Sequence, residues 1–177
     1  MLDDMRHAVA RSRFVALLVL LLVAAWTAFA APPAQPSVTF EVTSDRARQA
    51  AERALRDGQY VVSGHGRAVI GTLRRETRTT EQQAAAIEEL RRISRFDPAQ
   101  IPEPRALREY RVTQTVTVTE VGEASTSVTV HTEIVTLSRV PTAAEGPGPR
   151  MAFPSLGVVE EETLLRMREH LAEPATP

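Results

Sequence analysis

Tyr110-Arg-Val-Thr-Gln-Thr-Val-Thr-Val-Thr-Glu-Val121 is a stretch with two faces. Its even positions Tyr110, Val112, Val116 and Val118 are apolar, with Gln114 the exception. The odd positions Thr113, Thr115, Thr117 and Thr119 are all threonine. Such period-2 alternation sets one row of side chains against a core and the other toward water. β-Branched residues on both faces favour an extended backbone. Gly122-Glu123 supplies a turn, and Ala124–Val140 returns as a second run rich in threonine and valine. In that run the apolar parity changes from Val128, Val130 and Ile134 to Val135 and Leu137, which predicts a bulge or twist.

Upstream, Val38, Phe40 and Val42 alternate within 37–43 and predict a half-buried strand. Thr43-Ser44-Asp45 supplies an N-cap and an acidic first turn for a helix reaching about Asp57. Gly58 fits a left-handed cap at its end. The inward stripe Ala47, Ala50, Ala51, Ala54 and Leu55 is small enough to let the helix axis lie close to a sheet. Gln59–Ser63 and Arg67–Leu73 read as strands joined around Gly64-His65-Gly66, whose glycines predict positive φ in a hairpin. Thr80 and Gln83 read as a capping box opening a helix over 80–95, with Ala86, Ile87, Leu90 and Ile93 inward and Glu88 paired with Arg92.

Residues 97–105 form a proline-broken connection, and Pro141, Gly146-Pro-Gly-Pro149, Pro154 and Gly157 mark 141–157 as a loose linker. A last helix, about Val159–Ala172, turns Leu164, Leu165, Met167 and Leu171 inward. The order β-α-β-β-(α)-β-β-α predicts an α+β fold of two layers, a mostly antiparallel sheet with helices on one face. It occupies 37–172 as a single domain, preceded by a proline-rich spacer at 31–36 and followed by a tail at 173–177.

Residues 14–30 form an uncharged apolar run preceded by Arg6, Arg11 and Arg13 and ending in Ala28-Phe29-Ala30. Small residues at Ala28 and Ala30 match the recognition pattern of signal peptidase, so residues 1–30 are expected to direct export and be cleaved after Ala30. The rival is an uncleaved anchor, since seventeen residues at ~1.5 Å each approach the thickness of a bilayer core. On either reading the domain lies outside the cytoplasmic membrane, periplasmic or secreted, and touches a membrane only through 14–30 if these are retained.

The whole chain of 177 residues carries 21 basic and 22 acidic side chains, which gives no reason to expect nucleic acid as a partner. Every basic residue among the 21 is arginine and no asparagine occurs, a bias that a G+C-rich bacterial genome produces. With 0 cysteines there is no disulfide, thiolate nucleophile or lipid-bearing cysteine. The histidines His7, His65, His131 and His170 stand apart in sequence, with no spacing suited to a metal, so no metal or cofactor is expected. No nucleophile elbow, phosphate loop or paired catalytic carboxylates occur, and a non-enzymatic role follows. Arg46, Arg53 and Arg56 with Gln49 make a polar helix face in which Glu52 can pair with Arg48 and Arg56. The threonine row Thr113, Thr115, Thr117 and Thr119 is either a solvated sheet surface or an interaction face, receiving another envelope protein by strand addition.

Gly58, Tyr60 and Val62 after a helix, then Ile70 and Thr72 ending a strand, followed by long threonine–valine strands and a closing helix, make a recognisable order. It resembles the helix-grip-type domains of lipoprotein component C of the outer-membrane β-barrel assembly machinery and related bacterial envelope proteins. The resemblance spans about 37–73 and 109–172; this chain lacks that family's lipid-bearing cysteine and inserts the helix 80–95. It implies an envelope domain acting as an interaction or accessory module. The alternative is a small-ligand binder with a cleft between sheet and helices.

Overall fold

A computed structural model describes residues 35–100, 107–138 and 150–173. The elements are β1 (Ser37–Phe40), α1 (Ser44–Asp57), β2 (Val61–His65), β3 (Ala68–Glu76), α2 (Thr80–Ile93), a 3-10 turn (Pro98–Gln100), β4 (Leu107–Gly122), β5 (Ser125–Ser138), β6 (Arg150–Phe153) and α3 (Val158–Ala172). The strands form one six-stranded sheet in the order β1-β5-β4-β3-β2, with β6 also on β5, and every pairing is antiparallel. The predicted two-layer α+β architecture is the one the chain adopts. The run 14–30 with Ala28 and Ala30, most of the spacer 31–36, part of the connection 97–105, residues 141–149 of the linker and 174–177 of the tail lie outside the described residues.

β4 and β5 form the centre. Val116 pairs with Val130 and Thr117 with Thr129, so the even positions of both strands share the helix-facing side. There Val112, Val116, Val118, Val128, Val130 and Ile134 are buried with the helices' apolar residues. The bulge expected within β5 is absent: Thr126, Thr132, Thr136 and Ser138 hold the inner parity where the sequence offers no apolar residue. Val135 and Leu137 are half-buried on the opposite face. The register shifts fall at the two ends of the β4–β5 pairing instead, between Leu107 and Glu109 and between Glu120 and Gly122.

Gln114, the polar exception on the inner row, is fully buried and explains itself. Its Nε2 donates to the Val159 carbonyl at 2.9 Å, and its Oε1 accepts from Thr163 Oγ1 at 2.7 Å. One side chain thereby ties the first turns of α3 to the middle of the sheet, with both amide ends satisfied. α1 approaches the sheet through Ala47, Ala50, Ala51, Ala54 and Leu55, all buried as expected. Gly71 completes that approach, because a Cβ there would stand 2.8 Å from Leu55 Cδ2.

Several local expectations shift. The left-handed residue after α1 is Gln59, at φ 65°, whereas Gly58 has φ −72°. The Gln59 amide donates to Arg56 O at 2.8 Å and the Tyr60 amide to Leu55 O at 3.0 Å, the hydrogen-bond pattern of a Schellman end. Gly58 is favoured for a different reason: a Cβ would sit 3.0 Å from the Tyr60 ring, a tight contact that the ring would have to relieve. In the β2–β3 turn Gly66 has φ +59°, and Gly64 lies within the strand. The capping box of α2 uses Thr79 and Gln82, one residue earlier than expected. That frame frees Gln83 to point inward, where its Nε2 donates to Leu107 O at 3.3 Å. Arg92 pairs with Glu89 at 3.0 Å and Glu162 at 2.8 Å, leaving Glu88 to Arg91 at 2.6 Å.

The loose linker expected over 141–157 contains a strand: Arg150–Phe153 is β6, paired with β5 from Ile134 to Leu137. Proline and glycine outweighed the four strand-forming residues in the local reading. Behind β6, Arg95 N donates to Pro154 O at 2.9 Å and Leu156 N to Ile93 O at 3.0 Å. Phe96 meets Phe153 edge-on, with centroids 5.0 Å apart. In α3, Leu164 and Met167 are buried, but Leu165 is 54% exposed, a correction to the predicted stripe.

Candidate functional site

The helices cover one side of the sheet, and the odd positions of β4 emerge on the other. Thr113 and Thr115 are half-buried there, and Thr117 and Thr119 are exposed. Across β5 they face Glu133, His131, Thr129 and Ser127 in turn. Toward β3, Thr113, Thr115 and Thr117 face Thr72, Ile70 and Ala68. The row is continued onto β1, where Thr129 Oγ1 donates to Ser37 Oγ at 3.2 Å and Ser37 Oγ lies 3.2 Å from Ser127 Oγ. The four threonines thus stand in one straight row at the centre of a broad, mainly hydroxyl-bearing surface. β4 is paired on both edges, so the threonine strand itself has no free edge for strand addition. An added strand could join only β2 or the β1/β6 side.

At one end of this surface the hydroxyl row gives way to charge. A cleft of about 510 Å³ opens over Val135, Leu137 and Ala152, walled by Arg74, Arg111 and Arg150 with Glu109 and Glu133. Glu109 is buried, unlike an ordinary surface carboxylate. Arg74 Nη2 lies 2.6 Å from its Oε2 and Arg111 Nη2 3.3 Å from its Oε1. The hydrogen bond to Glu109 raises the Arg74 guanidinium above its ordinary range. Glu76, bonded to Arg78 and close to Arg74, is held below the usual carboxylate range. Glu109 therefore fixes two arginines on the face. Arg150 and Glu133 are both exposed and form no ion pair among the described residues. Sequence reading missed this cluster because Arg150 lay in the supposed linker. Its available signal was Arg111, which continues the odd register of the threonines.

A smaller cleft, about 290 Å³, lies at the far end between the start of α1 and the β2–β3 turn, lined by Ser44, Arg48, Arg67, Thr119 and Glu120. The Ser44 hydroxyl donates to Glu120 and closes part of it. On the helix side, Tyr60 and Tyr110 are buried beside Arg75, Glu89, Arg92, Glu162 and Arg166. Burial pushes the Tyr60 phenol up to about 12, against the opposing pull of Arg166. Burial likewise raises Tyr110. These phenols hold their protons at neutral pH and serve as core.

Among the described residues the histidines are not brought together. His131 is exposed on the outer face with Nδ1 3.3 Å from Gln35 Nε2. His170 Nε2 lies 2.7 Å from Asp57 Oδ2, joining α3 to α1. Backbone pairing places His65 at the end of β2. No group of three or more metal-capable side chains occurs among the described residues. Glu52 pairs with Arg48 at 3.6 Å and Arg56 at 3.3 Å. Arg46 instead donates to the Leu171 and Glu173 carbonyls at 3.0 and 3.1 Å, acting as a clasp on the end of α3. Among the described residues no helix is long and apolar enough to cross a membrane.

No protein-family model, curated protein or solved structure matches this chain. The resemblance expected from the sequence concerns Gly58, Tyr60, Val62, Ile70 and Thr72. In the fold these residues close α1 and pair β2 with β3.

Proposed function

We propose that the chain is an exported bacterial envelope protein that acts without catalysis, as an interaction or accessory module, through the face of its sheet opposite the helices. The observation that carries this reading is the straight row Thr113, Thr115, Thr117 and Thr119 on a central strand pinned from both sides. A surface held by a strand paired on both edges, rich in hydroxyl donors and acceptors, suits recognition at little ordering cost. Export is supported by the basic flank, the apolar run and Ala28-Phe29-Ala30. The alternative, a small-ligand binder, is favoured by the cleft of about 510 Å³, which lies on the outer face instead of between sheet and helices.

Photo-crosslinking in intact cells separates these readings. A benzophenone side chain at position 115 or 117 is expected to give a discrete protein adduct, and one at Arg53 on the helix surface is not. Equal labelling from both surfaces, or none from positions 115 and 117, would count against the face as a working surface.

A further inference from the structure

Glu133 and Arg150, exposed on the outer face and without an ion pair among the described residues, have opposite sign and a fixed spacing. Glu133, Val135 and Leu137 are alternate residues of β5 on that face, and Arg150 of β6 stands opposite Leu137. At ~3.3 Å per residue, Glu133 and the Arg150 row are about 13 Å apart, with the half-buried Val135 midway and the half-buried Leu137 beside Arg150. We propose that this cleft binds an extended polypeptide segment of another protein that carries a cation and a carboxylate four residues apart with an apolar residue midway. The proposal rests on the reading of this face as an interaction surface and names what it recognises.

The match follows from strand periodicity. In an extended segment laid on the sheet, side chains i, i+2 and i+4 point down and span about 13 Å. A lysine or arginine at i meets Glu133. An apolar side chain at i+2 covers Val135, and a carboxylate at i+4 passes over Leu137 to meet Arg150. Arg111, held by Glu109, adds a second cation beside the apolar floor. The segment's backbone groups stay at the open surface and keep water as partner, so none is left unsatisfied. A fatty acid would use Arg150 and leave Glu133 alone. A zwitterionic lipid headgroup carries its charges only a few bonds apart, too close to reach both ends.

The probe is an N-terminally fluorescein-labelled, C-terminally amidated pentapeptide, Lys-Ser-Leu-Ser-Glu, titrated with the purified exported protein and read by anisotropy. Saturable binding is expected, weakened about tenfold or more by Arg150→Glu and by Glu133→Arg, each a lost ion-pair contact at an exposed position. The peptide Lys-Ser-Leu-Ser-Lys is expected to prefer the Arg150→Glu protein over the unsubstituted one, a reversal that loss of folding cannot produce. Equal affinity of both peptides for all three proteins would overturn the proposal. So would binding to phosphatidylethanolamine vesicles that is lost in either variant, since it would assign the cleft to lipid. If the pentapeptide fails while crosslinks from positions 115 and 117 persist, the cleft assignment falls and the interaction face stands.

Discussion

Gln59 and Gly58 show how a single backbone angle is assigned by packing. Glycine is the residue that accepts positive φ most cheaply, yet the chain puts Gln59 at φ 65° and keeps glycine one place earlier. The Tyr60 ring folds back over position 58 and would crowd a Cβ at 3.0 Å, so the glycine is favoured there by contact. Gln59 is compensated in part by accepting from Arg75 at 2.6 Å. Comparing Gln59→Gly with Gln59→Ala removes that bond from both variants and isolates the angle. The glycine variant is expected to be more stable by about 1 kcal/mol in urea unfolding. Gly71→Ala is expected to destabilise by about 1–3 kcal/mol, since the new methyl collides with Leu55. Tyr60 gives the pH counterpart. Its phenol stays protonated in the folded chain up to about 12, while the unfolded chain releases the proton near ~10. Its stabilising contribution is therefore complete below about pH 10 and is lost as pH rises toward 12, on the order of 2 kcal/mol in all. Stability measured across that window should fall less steeply in Tyr60→Phe; an unchanged slope would refute the assignment.

At the scale of elements, legibility followed periodicity. β4 could be read whole because valine and threonine alternate in it without interruption, and α1 because its alanine stripe and caps agree. β5 was misread for its bulge because burial there is carried by threonine and serine, whose hydroxyls make them look like surface. The methyl group of threonine packs like part of valine, so side-chain polarity alone did not reveal its face. β6 was missed because four residues carry too little pattern to outweigh the seven prolines and glycines of 141–157. The cleft could not be found before β6 was placed, since Arg150 reaches it only by pairing with Leu137. The threonine row was legible as a surface; its central position in the sheet was not, because strand order is set by pairing across distant residues. The aromatic contact behind β6 gives this element a test. Phe153 is buried against Phe96 at an interplanar angle of 70° and anchors the end of α2 to the lead-in of α3. Phe153→Ala is expected to cost about 3 kcal/mol. A double-mutant cycle with Phe96→Ala should show coupling of about 1 kcal/mol, and strict additivity would mean the rings pack independently.

For the whole molecule, the distribution of aromatic residues makes export measurable. The only tryptophan, Trp26, lies inside the apolar run, four residues before the expected scissile bond after Ala30. The remainder from Ala31 carries 18 arginines against 20 acidic residues and has Tyr60 and Tyr110 as its only other near-ultraviolet fluorophores apart from phenylalanine. Cleavage therefore removes tryptophan emission entirely, and retention of an anchor keeps an indole in lipid. Signal peptidase selects small residues at the positions Ala28 and Ala30 occupy, and Pro32 falls second in the released chain, beyond the bond to be cut. The expected product is a periplasmic protein beginning at Ala31, with weak tyrosine fluorescence and no indole band. Ala30→Arg should block processing and leave tryptophan-containing precursor in the membrane fraction. Recovery of the unsubstituted chain from membranes with tryptophan emission and an N-terminus before Phe14 would instead make residues 31–36 the stalk of a tethered domain. In that case the threonine face and its cleft would work only within reach of the inner membrane, and the partner carrying the matching segment would have to approach it there.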